Sequence, residues 1–197
     1  MNYLSHLFLA EDTEESKIGN LLGDFVKGRL DDSFSPEIIK GIKTHRKVDS
    51  FTDSHNIIKQ TKKLISPGRR KYSGVLVDIF FDHFLTNQWE KYSDTEFNQF
   101  IESTYKVLLK YENIYPLKGK VMIPRIVEKD WLRKYGDFDG LSLVFDRMSQ
   151  RVKRENPLRG SEEELRDNYS EIEKNFNIFF PELIDYVKEI RPQLSIN

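Results

Sequence analysis

Four histidines fall within the first 83 residues, each on or beside a segment that is also rich in aspartate. Residues 41–55 are the densest, with His45, Asp49, Asp53 and His55. Asp78, Asp82 and His83 form a second group, and His6 and Asp24 stand nearer the start. Asp78 and Asp82 sit at i, i+4 in a segment that is apolar nearly all round. Two carboxylates on one buried helix face repel each other and resist ionising unless cations neutralise them. A histidine and a carboxylate turned into a core must be satisfied there, either by bonding each other or by holding a metal ion. With no cysteine in the chain, an Asp/His ligand set suits a hard or borderline divalent ion: manganese, magnesium, iron or zinc. Such ions bind phosphate oxygens and lower the pKa of bound water, which is the chemistry of phosphoester hydrolysis. A glycine-rich phosphate loop, a Ser-His-Asp arrangement on a strained elbow and a zincin helix are all missing from the sequence. The competing reading is a non-catalytic helical binding module whose Asp/His groups are internal hydrogen-bond networks. His6, set among Leu4, Leu7, Phe8 and Leu9, has the surroundings of an ordinary core histidine.

Helices have to carry these groups. Ser35 is a suitable N-cap, with Pro36 at the first helical position and Glu37 in the first turn. At about 100° per residue, Ile38 and Ile42 define an apolar stripe, and His45 and Asp49 each fall about 20° from Ile38, on opposite sides. The inward face therefore reads Ile, Ile, His, Asp. Residues 2–10 predict a short buried helix around His6. In residues 16–28, Ile18, Leu21, Leu22, Phe25 and Val26 give the amphipathic series. Gly19 and Gly23 weaken that helix by about 1 kcal/mol each, and their i, i+4 spacing predicts close approach of another helix or a ligand. Asp24 lies beside this glycine patch. Residues 72–92 predict a central buried helix. Further on, Ser93 with Glu96 and Ser161 with Glu164 read as capping boxes. Pro116 and Pro124 are expected to bound an irregular connection, residues 126–135 and 141–154 to be helical, and Pro181 to start the last helix. The expectation is an all-α fold: one domain, residues 1–197, of about eight helices, with the metal-site motifs inside residues 1–92.

The 14 Phe and 9 Tyr argue for a packed core, not a disordered chain. Residues 3–10 are apolar but short, contain His6 and follow no basic region, unlike a signal peptide. No apolar run is long enough to span a membrane, so a cytoplasmic protein is expected. Net charge is −1, yet residues 27–71 hold 12 Lys plus Arg against 5 Asp plus Glu. Such a surface suits an anionic partner or is simply solvated.

Four stretches, in order, resemble the signatures of the acyl carrier protein phosphodiesterase family. They are Asn2-Tyr-Leu-Ser-His6-Leu, Gly19-Asn-Leu-Leu-Gly-Asp24-Phe-Val-Lys-Gly28, His45-Arg-Lys-Val-Asp49-Ser-Phe-Thr-Asp53-Ser-His55 and Asp78-Ile-Phe-Phe-Asp82-His83-Phe-Leu. Ser5 stands where the resemblance leads one to expect alanine. Beyond residue 90 it rests on Arg147-Met-Ser149, Asn156-Pro-Leu158 and the helical pattern. It implies hydrolysis of the phosphodiester that joins 4′-phosphopantetheine to a serine of holo-acyl carrier protein. It also implies a divalent metal, typically manganese, and kinship to the helical HD-type phosphohydrolases, although only a reversed Asp82-His83 dipeptide is present. On this reading Asp24, His45, Asp78 and Asp82 form the metal shell, and Asp49 is a ligand or orients His45. His6 or His83 protonates the leaving serine. Lys27, Arg46, Arg69 and Arg70 are candidates for phosphate or carrier contacts, because carrier proteins are acidic. Neither nucleic acid nor a membrane is expected as partner. The alternative enzyme is an HD-type metal phosphohydrolase acting on a small nucleotide.

Overall fold

A computed structural model describes residues 1–30 and 33–194, and among these it contains α-helices, short 3-10 turns and no strand. The helices are α1 (Tyr3–Phe8), α2 (Glu14–Leu22), α3 (Pro36–Ser54), α4 (Asn56–Leu64), α5 (Ser73–Asn87), α6 (Phe97–Lys110), α7 (Leu117–Glu128), α8 (Phe138–Arg151), α9 (Glu162–Asp167) and α10 (Tyr169–Ile190). The all-α expectation holds, with ten helices in place of about eight.

Helix α5 is the central post. Leu76, Val77, Phe80, Phe81, Phe84 and Leu85 are all fully buried, and burial of each such side chain stabilises the fold by about 1.5–3 kcal/mol. Helices α1, α4 and α10 pack against it. Phe176 and Phe179 of α10 meet Phe81 and Phe84, with ring centroids 5.4–5.7 Å apart. One hydrophobic core runs from Leu4 to Val187. No helix is long and apolar enough to cross a membrane.

Helix α3 starts as its sequence predicts, with Ser35 Oγ accepting from the Ile38 amide and Pro36 in the first turn. It lies against α2 at very short range. A Cβ on Gly19 would stand 2.3 Å from the Ile38 carbonyl oxygen and 2.8 Å from Gly41 Cα. Only two glycines facing each other allow that approach. A Cβ on Gly23 would stand 2.2 Å from Cγ of His45. The glycine spacing therefore marks one of the two alternatives it suggested, a neighbouring helix: both glycines face α3, Gly23 at the His45 ring.

Five local expectations fail. Residues 126–135 do not form one helix, since α7 ends at Glu128 and a 3-10 turn follows at Arg133–Gly136. The cap of α6 is Glu96, whose carboxylate accepts from the Gln99 amide at 2.8 Å, and not Ser93. Ser161 makes no side-chain cap: its hydroxyl donates to the Pro157 carbonyl, and Glu164 turns to Ser66 and Arg69 instead of completing a box. Pro124 lies inside α7 and Pro181 inside α10. Each proline removes one backbone bond and not the helix. At Pro181 the carbonyl left without its partner belongs to Asn177, an exposed residue.

Candidate active site

His6, on the short α1, and His45, on the inward face of α3, stack with ring centroids 3.7 Å apart and planes 19° from parallel. Asp49, one turn beyond His45, reaches both rings. Its Oδ1 is 3.1 Å from His6 Nε2 and its Oδ2 is 3.1 Å from His45 Nε2. One ligand atom from each residue lies within 4.8 Å of the others, a grouping that could hold a metal ion. Asp24, just past α2, adds an oxygen 3.8 Å from His45 Nε2.

The donor chemistry of this cluster is unfinished. His45 Nδ1 lies 2.7 Å from the carbonyl oxygen of Asn20, so it carries a proton to donate there. Its Nε2 lone pair then faces a carboxylate oxygen, a repulsive contact unless a cation sits between them or the ring is protonated. His6 is fully buried, and neither of its nitrogens makes a hydrogen bond of good geometry. Burial pushes the His6 imidazole down to about 3, helped by the neighbouring His45 and opposed by Asp49. At neutral pH it therefore presents a lone pair. Burial pushes the Asp49 carboxyl up, but the positive amino group of Met1 pulls it down, and the group stays ionised. An anionic carboxylate with two lone-pair imidazoles is a metal-binding donor set, and buried nitrogens without partners are costly in any other use.

The same region already attracts a positive group. The amino group of Met1 donates to Asp49 Oδ1 at 3.2 Å and stands 3.4 Å from Asp78 Oδ1. Burial opposes its charge, but Asp78 and Asp49 raise its pKa overall. Met1, Asp24 and Asp78 line a cavity of about 230 Å³ together with Asn2, Tyr3 and Arg151. This cavity opens beside the His6–His45–Asp49 cluster through Asp24 and Met1.

The residues expected at the site divide in two. His6, His45, Asp49 and Asp24 come together, and Asp78 joins through Met1. His6 thus stands with the donors and not as a separate proton source. Asp82 does not join them. Its two oxygens accept from the amides of Leu4 (2.9 Å) and Ser5 (3.0 Å), the free donors of the first turn of α1, and from the Ser5 hydroxyl. Burial pushes its carboxyl up to about 7 against the pull of these bonds. Asp82 therefore fixes the helix that carries His6. Ser5, the departure from the expected alanine, gives Asp82 a further donor.

His83 is also elsewhere. Its Nδ1 meets the Tyr135 carbonyl at 2.7 Å and its Nε2 the Tyr169 hydroxyl at 3.4 Å, and no contact joins it to His6 or His45. Burial lowers its pKa, opposed by that carbonyl. Of the expected anion contacts, Lys27 is exposed and near enough to lower the Asp24 carboxyl, whose pKa burial raises overall. Arg46 donates to the Val26 carbonyl at 3.0 Å. Arg69 is spent on the Pro157 and Arg159 carbonyls and on Glu164, and Arg70 on the Ile65 carbonyl. Arg69 is thus a brace of the fold, whereas Arg46 and Arg70 each anchor a single carbonyl. Sequence reasoning missed Tyr3, Arg151 and the Met1 amino group at the cavity, since none carries a motif.

Comparison with known proteins decides the family. The family model described as acyl carrier protein phosphodiesterase matches residues 1–183. The chain belongs to the acyl carrier protein phosphodiesterase family. It is 30% identical over 190 residues to the acyl carrier protein phosphodiesterase of Yersinia enterocolitica, covering 96% of this chain and 98% of the relative. It is 32% identical over 189 residues to that of Photorhabdus laumondii, covering 94% of each. It is 31% identical over 189 residues to that of Pectobacterium atrosepticum, covering 95% of this chain and 98% of the relative. No solved structure matches the chain. Membership in the acyl carrier protein phosphodiesterase family extends well past residue 90, so the second half of the chain is family structure too.

Proposed function

We propose that this protein hydrolyses the phosphodiester bond between 4′-phosphopantetheine and the serine of holo-acyl carrier protein. A divalent ion, manganese by preference, would be held by His6, His45 and Asp49, with Asp24 beside them. The observation that carries this reading is the buried His6 imidazole, stacked on His45 and set against Asp49 with no hydrogen bond to satisfy it. Family membership supplies the substrate class.

When bound, such an ion supplies Lewis acidity toward a phosphoryl oxygen and a water of lowered pKa. The protein's own part is orientation. The Asn20 carbonyl fixes the tautomer of His45. Asp82 holds α1, and with it His6. Gly23 leaves room for the His45 ring. Lys27, exposed beside Asp24, suits a phosphate contact. In the reaction a water oxygen bonds to phosphorus, the bond from phosphorus to the serine oxygen breaks, and that oxygen takes up a proton. The products are the apo-carrier and 4′-phosphopantetheine. The all-α fold with a His/Asp centre also supports kinship with HD-type phosphohydrolases, although Asp82-His83 lies outside the centre. A cytoplasmic setting goes with such a substrate.

Intact mass of holo-acyl carrier protein incubated with the protein, with manganese or with chelator, tests the reading. Loss of one phosphopantetheine group only with manganese is expected. An unchanged mass in both tubes would overturn it. Bound metal would then favour a small-nucleotide hydrolase, and no bound metal a binding module.

A further inference from the structure

The carrier protein needs a docking face, and in the basic stretch expected to supply it five cations, its three bonded arginines among them, are tied to the fold. Arg46, Arg69 and Arg70 bond backbone carbonyls, Lys40 pairs with Glu11 at 2.9 Å and Lys62 with Asp53 at 3.1 Å. A different set of cations has no such commitment. Arg125 on α7 and Arg147 and Arg151 on α8 line one cavity of about 420 Å³, together with Trp131, Lys129 and one carboxylate, Glu128. Among the described residues none of the three makes an ion pair, and Arg147 carries a buried Nη1 with no hydrogen-bond partner. Arg151 lies over the Trp131 ring at 4.7 Å. Burial lowers its pKa, Tyr3 opposes that, and Arg125 and Arg147 add to it. Glu128 pairs with Lys129, so the three guanidiniums leave the cavity with a net positive charge that an anionic partner would neutralise.

Their position links them to the site. Arg151 also lines the cavity that holds Asp24 and Asp78. Along α7, Leu117, Lys118 and Val121 line a neighbouring groove that again includes Asp24 and Tyr3. Leu117 is 85% exposed and Val121 51% exposed, on the same helix as Lys118 and Arg125. The rim of the site thus presents apolar side chains among cations that outnumber its carboxylates, Glu128 and Asp24.

The geometry points to this face, Leu117, Lys118, Val121, Arg125, Arg147 and Arg151, as the surface on which the acidic carrier protein docks to deliver its serine-linked arm. The inference rests on the carrier-protein reading above. Charge complementarity selects the occupant: an acidic partner offsets the excess of cations, and arginine with exposed apolar groups is the usual material of a binding hot spot.

The experiment compares the wild-type protein, Arg125→Glu/Arg147→Glu, and Lys59→Glu, which reverses an exposed charge on α4. Holo-carrier cleavage is followed at several salt concentrations, and apo-carrier is titrated in as inhibitor. For the double variant KM is expected to rise about tenfold or more, with a smaller change in kcat. Its salt dependence should flatten, and apo-carrier should no longer inhibit. Lys59→Glu should match the wild type. Should the double variant fail to melt cooperatively, Lys118→Gln/Arg125→Gln, two exposed positions, is read in its place, with a smaller rise in KM expected. A double variant that folds and keeps wild-type KM and inhibition overturns the docking face while leaving the hydrolase reading intact. A wild-type protein that binds apo-carrier through these arginines yet cleaves nothing overturns the hydrolase reading alone.

Discussion

Two clusters of buried polar groups hold this chain together at long range, and they are built on opposite terms. At Ser66, Arg69 and Glu164 every partner is present. Glu164 accepts from the Ser66 amide, from its hydroxyl and from Arg69, and Arg69 turns two further donors to the Pro157 and Arg159 carbonyls. At His6, His45 and Asp49 the account does not close. One imidazole lies against a carboxylate without a hydrogen bond of good geometry, and another turns a lone pair toward the same carboxylate. A closed network contributes to stability, whereas an open one is retained against stability, for chemistry. In sequence the two look alike, as basic and acidic residues scattered along helices. What separates them is satisfaction, which is a property of the fold.

The sharpest break between the clusters is Asp49→Asn. Cleavage of holo-carrier protein should fall by about a thousandfold in kcat/KM, roughly 4 kcal/mol of transition-state stabilisation. The melting temperature should hold or rise, because an open site gives up little when neutralised. A variant melting far below the wild type would make Asp49 a structural residue and erase the contrast. Metal addition comes next. Manganese at a hundredfold excess over its dissociation constant should stabilise the wild type by about 2.7 kcal/mol. His45→Ala and Asp49→Asn should show no such gain in a thermal melt, and Glu164→Gln should show all of it.

Glu164→Gln is the mirror experiment. It leaves Arg69 without its carboxylate and should cost about 1–3 kcal/mol. For a chain of this length that is a fall of about 2–4 °C per kcal/mol. The kcat/KM of the folded variant should be unchanged. Gly23→Ala tests the reach of the open cluster into the scaffold. Its new Cβ would meet the His45 ring at 2.2 Å, so the ring must move. We expect about a tenfold loss of activity, since small misplacements at a site are costly, and a reduced affinity for manganese by titration.

How much of this was legible in the sequence follows the same division. Local spacing showed that His45 and Asp49 share the inward face of α3 and that Gly19 and Gly23 admit a close neighbour. Those facts depend on helix geometry alone. The placement of Asp82 was not legible, because the unpaired amides it serves lie 77 and 78 residues away at the start of α1. Arg69 misled for the same reason. Its carboxylate is 95 residues distant, on a residue that read as half of a capping box. His83 carried the right chemistry on the right helix, but faces the Tyr135 carbonyl. Residue type announces what a side chain can do, and only its nearest partners decide whether that capacity is already spent.

The smallest expected effect is the pH dependence of the closed cluster. Burial pushes the Glu164 carboxyl up, but Ser66 and Arg69 outweigh it, so its pKa is lowered on folding. A carboxyl depressed in the folded state binds fewer protons there than when unfolded. Its contribution is therefore complete above the ordinary glutamate range, about 4.3. It fades as the pH falls from there through the lower folded value. Glu164→Gln carries no such proton. The stability difference between wild type and variant, measured by denaturant melts from pH 7 downward, should be constant above about pH 5 and narrow below about pH 4. Other carboxyls titrate in both proteins and cancel in the difference. A difference that stayed constant to pH 3 would mean that the bonds from Ser66 and Arg69 do not select the ionised carboxyl, and the closed cluster would owe its stability to packing instead.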